Sequence, residues 1–304
     1  MKHEKRKMTC CLLLLLSLTG CRVRDTARLR SVETMGIDLR PGELVLSVST
    51  GAGTEELPSL HLSAAGSSIH DCMAKLEQGA EGQELFYSHL RFLVLGESAA
   101  KELCTLLDFF ERAPELRLTL PVYTVRGEAE PLVTDEESEI GGLLRSLERS
   151  GKQTGLCTVP TLLEADRGLR QDAAALCAAV RDGELTGYAL LRPGEPPRFS
   201  SAEEALGLTL LYKGLRYAAF TVELPRGYAV VETQNYRSGS RRPCAYTLRE
   251  LSGESSTAEL NAAVSARLEA AERAALAFLG SAASPPPCRA ELKRGYDLTG
   301  GGSP

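Results

Sequence analysis

From Leu44 to Leu279, short apolar runs with a period of two alternate with longer runs with a period near 3.6, and this alternation confines the chain to helices packed on sheets. Leu44, Leu46 and Val48 interleave with Val45, Ser47 and Ser49, and Leu60-His61-Leu62 follows a turn at Gly51-Ala52-Gly53, so two strands are predicted. Ile69, Cys72, Met73 and Leu76 recur at helical spacing behind Ser67 or Ser68 as cap, and Gly79 stops them. Residues 90–95 form a continuous apolar strand closed by Gly96. A helix over about 99–112 follows, capped by Ser98, with Ala100, Leu103, Leu107 and Phe110 on one face, and residues 118–125 supply the next strand. Ile140, Leu143, Leu144 and Leu147 mark a helix ending near Gly151, and residues 161–167 a short one.

Asp182-Gly183 lies between the apolar runs 173–181 and 185–191, and Asp-Gly in that setting specifies a hairpin. Ser200 and Ser201 with Glu203 and Glu204 start a helix reaching about Lys213, after which Gly214 releases strands at 217–224, 228–236 and 245–249. Ser256 and Glu259 open a longer helix whose Leu260, Val264, Leu268, Ala275 and Leu279 make one apolar stripe, ended by Gly280. The remainder, with Pro285-Pro286-Pro287 and Gly300-Gly301-Gly302, has too little apolar surface to pack alone and is expected to be disordered. The expected fold class is α+β: a multi-domain protein with mixed or antiparallel sheets flanked by helices, after a lipoprotein signal peptide. Its divisions are a first α+β domain at 41–168, a second at 169–252, and a truncated third domain at 253–304 made of one long helix and the tail.

Ahead of these elements, Lys2, Lys5, Arg6 and Lys7 precede an apolar run from Met8 to Leu18 that ends in Leu18-Thr19-Gly20-Cys21. Residues 1–20 read as a cleavable signal peptide, since the run is shorter than the roughly 20 residues a spanning helix needs and Arg22 and Arg24 follow at once. Small residues just before a cysteine resemble the lipobox of bacterial lipoproteins, which makes Cys21 the lipidation site and residues 21–40 a tether with the first segment. Stable attachment takes two acyl chains, because burial is worth about 0.8 kcal/mol per methylene. Removing residues 1–20, with four basic side chains and Glu4, takes the net charge from -5 to -8, so the body as a whole is repelled by anionic lipid. Arg22, Arg24, Arg28 and Arg30 are the local exception.

The acidic balance disfavours a nucleic-acid partner, which calls for a clustered basic face. Of nine cysteines, Cys10 and Cys11 leave with the signal and Cys21 is consumed. Cys72, Cys104, Cys157, Cys177, Cys244 and Cys288 remain, and mostly buried free thiols are expected. An enzyme needs convergent reactive groups, yet the mature chain keeps only His61, His70 and His89 and has no His-Glu-x-x-His, Cys-x-x-Cys or Gly-x-Ser-x-Gly motif. No catalytic, metal or cofactor site is expected. His89, at the mouth of the 90–95 strand, is expected to make a structural hydrogen bond.

Leu85-Phe86-Tyr87-Ser88-His89-Leu90-Arg91-Phe92-Leu93-Val94-Leu95-Gly96-Glu97, followed by Leu107-Asp108-Phe109-Phe110-Glu111-Arg112, resembles the Ger(x)C family of spore-germination lipoproteins. Gly36-Ile37-Asp38, Arg126-Gly127-Glu128-Ala129, Glu184-Leu185-Thr186-Gly187-Tyr188 and Gly207-Leu208 through Lys213-Gly214 continue the pattern in order. The resemblance implies three α+β domains and the C subunit of a nutrient-germinant receptor, palmitate-anchored on the outer face of the cytoplasmic (spore inner) membrane. It also implies a non-enzymatic role, in assembly with integral-membrane A and B subunits. A solute-binding lipoprotein of a transporter is the alternative, although 5% aromatic content and the absence of Trp weigh against it.

Overall fold

The computed structural model describes residues 28–51, 58–137, 139–155 and 157–293. The signal segment, Cys21, most of the Gly51-Ala52-Gly53 turn and residues 294–304 lie outside the described residues.

Strands β1 (Leu29–Arg40), β2 (Glu43–Thr50) and β3 (His61–Gly66) pair antiparallel in sequence. On its other side β1 takes two parallel partners, β4 (Glu84–Phe86) against its first residues and β5 (Phe92–Leu95) further along. Parallel strands β6 (Val122–Val125) and β7 (Ala175–Arg181) follow, and β8 (Glu184–Leu191) and β9 (Arg198–Phe199) return antiparallel, completing a nine-stranded mixed sheet. Helices α1 (Ile69–Gly79), α2 (Glu97–Lys101), α3 (Leu103–Arg112), α4 (Glu130–Val133), α5 (Ile140–Thr154) and α6 (Leu162–Asp172) lie on both faces. Leu93 and Leu95 enter a core with α1, α2, α3 and α6, whereas Phe92 and Val94 enter a second core with α4 and α5. Burial on both faces is why β5 reads as an unbroken apolar run.

Within the expected tether and first segment at 21–40, the part from Leu29 on needs correction, because β1 is an interior strand with Val32, Met35 and Ile37 fully buried. Glu33, Thr34 and Asp38 interrupt its apolar pattern yet are buried too, which hid the strand. The helix expected over 99–112 is two helices broken at Glu102, and Ser98 does not cap it; its hydroxyl accepts from the Leu39 N–H at 3.1 Å. The strand expected at 118–125 is shortened to β6, since the carbonyls of Leu118 and Leu120 accept from Leu163 and Leu162 at the start of α6. The expected boundary at 168/169 also falls elsewhere, because β7 pairs with β6 inside the sheet. The Asp182-Gly183 hairpin forms between β7 and β8, with φ +50° and +74° at its two turn residues.

A second sheet holds β10 (Leu215–Leu224), β11 (Gly227–Tyr236) and β12 (Cys244–Ser252) in antiparallel order, with β13 (Ala290–Leu292) parallel to β12. Part of the tail expected to be disordered is therefore a strand. Ser265 and Asn261 side chains accept from the Ala290 and Leu292 N–H groups at 3.0 and 3.1 Å, a source of pairing the tail's composition does not reveal. Helices α7 (Ala202–Tyr212) and α8 (Thr257–Leu279) sit between the sheets, each opened by a capping box, Ser201 with Glu204 and Ser256 with Glu259. Leu208, Ala275 and Phe278 pack into a core of the large sheet, and Leu206, Leu210, Leu260, Val264 and Leu268 into that of the small one. The apolar stripe of α8 thus docks within its own chain. All six described cysteines are free and five are buried; Cys104, expected at an apolar position, is exposed on α3. Burial pushes the Cys177 and Cys244 thiols each up to about 12, which disfavours the reactive thiolate.

Candidate functional site

Three of the sequence motifs meet at the carboxyl ends of β1, β5 and β6. Asp38 is fully buried, and its carboxylate accepts from the backbone N–H groups of Ala129 and Glu130 at 2.8 Å each, closing the first turn of α4. Gly96 has to be glycine there, because a Cβ would lie 1.8 Å from Asp38 Oδ1. The Glu97 N–H donates to the Gly127 carbonyl at 2.8 Å, and the Gly127 N–H to Glu97 Oε2 at 3.2 Å. Arg40 spans Glu128 and Glu130 at 2.7 and 2.5 Å on the rim. Burial raises the Asp38 pKa from its ordinary value, against the two backbone hydrogen bonds that favour the ionised form. Ligands of open α/β sheets bind in the crevice outside these strand ends. Here Asp38 and Glu97 close that crevice with the chain's own groups.

The remaining motifs are joints as well. Tyr188 donates its N–H to Ser200 Oγ at 2.9 Å, while its hydroxyl accepts from the Thr158 N–H at 2.9 Å and meets Thr209 Oγ1 at 3.0 Å. Gly207 faces α8, where a Cβ would fall 1.9 Å from the Ala271 carbonyl oxygen. These motifs therefore select tight packing rather than a convergent set of reactive groups.

At the opposite end of the parallel strands lies an open cleft of about 470 Å³, lined by Ser31, Glu33, His89, Arg91 and Arg117 among others. It shares Leu90, Arg91 and Arg117 with a hollow of about 230 Å³ that reaches Arg145 and Glu148. Glu33, with a side chain only 10% exposed, pairs with Arg91 at 3.3 Å and with Arg145, which also reaches Glu139 at 3.1 Å. Arg117 is exposed and has no side-chain hydrogen bond or ion pair among the described residues. His89 Nδ1 meets Ser31 Oγ at 2.9 Å, and its ring stands edge-on to Phe86. The histidine is exposed beside buried Leu90, and among the described residues no third group hydrogen-bonds this serine–histidine pair. The cleft can hold an anion through its guanidinium groups. Its residues come from chain positions 31 to 117, and Arg145 reaches Glu33 from α5, so only strand register and the packing of α5 bring them together, and the sequence carried no signal for the cluster.

Among the described residues, no group of three or more His, Cys, Asp or Glu side chains is arranged to hold a metal, and no helix is long and apolar enough to cross a membrane. Cys21, the expected lipidation site, lies outside the described residues.

A family model described as the spore germination protein N-terminal domain matches residues 23–178. The chain belongs to this Ger(x)C family of spore-germination proteins. No curated protein and no solved structure matches it. The matched span opens two residues after Cys21 and ends inside β7, so it takes in both the Asp38 junction and the arginine cleft. This Ger(x)C protein has a role in spore germination.

Proposed function

We propose that this Ger(x)C protein is a lipid-anchored, non-enzymatic subunit of a spore nutrient-germinant receptor. It is held through Cys21 on the outer face of the spore inner membrane and assembles with integral-membrane A and B subunits. The observation that carries the reading is the family domain itself, beginning directly after a lipobox-like Leu18-Thr19-Gly20-Cys21. The use of the motif residues as packing joints supports it, because a subunit that works by assembly needs a rigid, correctly shaped body. Metabolic palmitate labelling tests the anchor: the parent chain takes up label and Cys21→Ala does not. Detergent solubilisation followed by co-purification tests the assembly. Recovery of the A and B subunits with the parent chain is expected, and their absence under conditions that keep the chain folded rejects the receptor reading.

A further inference from the structure

We infer that the cleft around Arg91 and Arg117 is the face the protein turns to its membrane, where it docks on the phosphate headgroups of anionic lipid. The inference rests on the lipid-anchor reading of Cys21 and adds to it a surface and an orientation. Ser31, which lines the cleft, is ten positions beyond Cys21, so even a fully extended link spans at most about 35 Å. From Ser31, β1 runs on to Arg40, roughly 30 Å further at the strand rise. The Asp38 end can meet the bilayer only if the link turns back along the whole strand.

Charge points the same way. Arg30 lies near the start of β1, Arg91 and Arg117 line the cleft, and Arg145 lines the adjoining hollow. Glu33 is buried and shared by two of these arginines, Glu139 also pairs with Arg145, Glu148 sits at the edge of the smaller hollow, and Arg117 is uncompensated among the described residues. The far ends of the parallel strands carry Asp38, Glu97, Glu128, Glu130, Asp182 and Glu184; of the arginines there, Arg40 and Arg181 each have a carboxylate beside them and Arg126 lies over the Phe199 ring. An acidic body with one basic end is oriented by an anionic surface even though its net charge is repelled by it. Planar guanidinium groups also match phosphate oxygens in pairs.

The test uses the mature chain carrying Cys21→Ala, so that no acyl chain contributes, and measures co-sedimentation with phosphatidylcholine vesicles with and without phosphatidylglycerol. Binding is expected only with phosphatidylglycerol, weakening as salt rises, and falling about fivefold for each of Arg91→Gln and Arg117→Gln. Arg181→Gln, at the far end, should bind as the parent does. Arg117→Gln alone keeps the test valid if Arg91→Gln, which loses the partner of buried Glu33, does not fold. Equal binding to both vesicle types, or undiminished binding by the arginine variants, overturns the inference. So does uptake of inorganic phosphate by the cleft without any vesicle binding, or loss of A and B co-purification in the variants with vesicle binding intact. Failure of the anchor reading shows separately, as missing palmitate at Cys21.

Discussion

Glu272 on α8 illustrates how one side chain can work against the fold that contains it. It is fully buried, and neither carboxyl oxygen has a hydrogen-bond partner among the described residues. Burial raises its pKa from the ordinary value, and the charge of Glu269 adds to the shift. A carboxyl whose folded pKa is raised stabilises the fold below its unfolded pKa, and that contribution is lost as pH rises through the folded value. Glu272→Gln, which cannot ionise, should therefore unfold at the same denaturant concentration as the parent in acid. Above the usual carboxylate range it should be the more stable of the two. A parent whose stability relative to this variant does not change with pH would show that Glu272 is not held neutral. Asp38 carries the same direction of shift for the same cause, but it is tied by two backbone donors, and this makes it a structural keystone where Glu272 is a liability.

Helix α7 is apolar on nearly every side because both sheets claim it, and the contact with α8 depends on Gly207. Two effects compete in Gly207→Ala. Helix propensity favours alanine by about 1 kcal/mol. The added methyl, at 1.9 Å from the Ala271 carbonyl oxygen, forces the helices apart. Overpacking of this kind costs roughly 1–3 kcal/mol, and backbone on the far side cannot yield as a flexible side chain would, so the variant should lose stability. Chemical denaturation of parent and variant decides it, and a variant at least as stable as the parent refutes the close approach. The apolar stripe of α8 was legible from residue spacing alone, as were the capping boxes and the Asp182-Gly183 hairpin. Local chemistry fixes those features. The break at Glu102 and the pairing of β13 were not legible, because each depends on partners distant in sequence.

For the molecule as a whole, two sheets do not make two independent units. Leu208 and Ala275 in one core are a turn or less from Leu206, Leu210 and Ala271 in the other, and a Cβ on Gly155, at the end of α5, would fall 2.6 Å from Ala218 of β10. The lipid-free mature chain should therefore unfold in one calorimetric transition with equal calorimetric and van't Hoff enthalpies. Two resolved transitions would mean that the second sheet unfolds by itself. Hydrogen exchange should agree, with slow exchange through α8 and at Lys293, whose N–H donates to the Tyr246 carbonyl at 2.9 Å. The sequence by itself determined the α+β class, most helix and hairpin positions and the Ger(x)C family, because periodicity, caps and turn residues act within a few positions of one another. Only the tertiary structure decided that β1 is an interior strand, that Asp38, Gly96 and Gly127 form one junction, and that Glu33, Arg91 and Arg117 share one cleft with Arg145 in the adjoining hollow. Those groupings follow from strand register and from the packing of helices on the sheet, which join residues as much as 112 positions apart and are set by the burial of whole sheet faces.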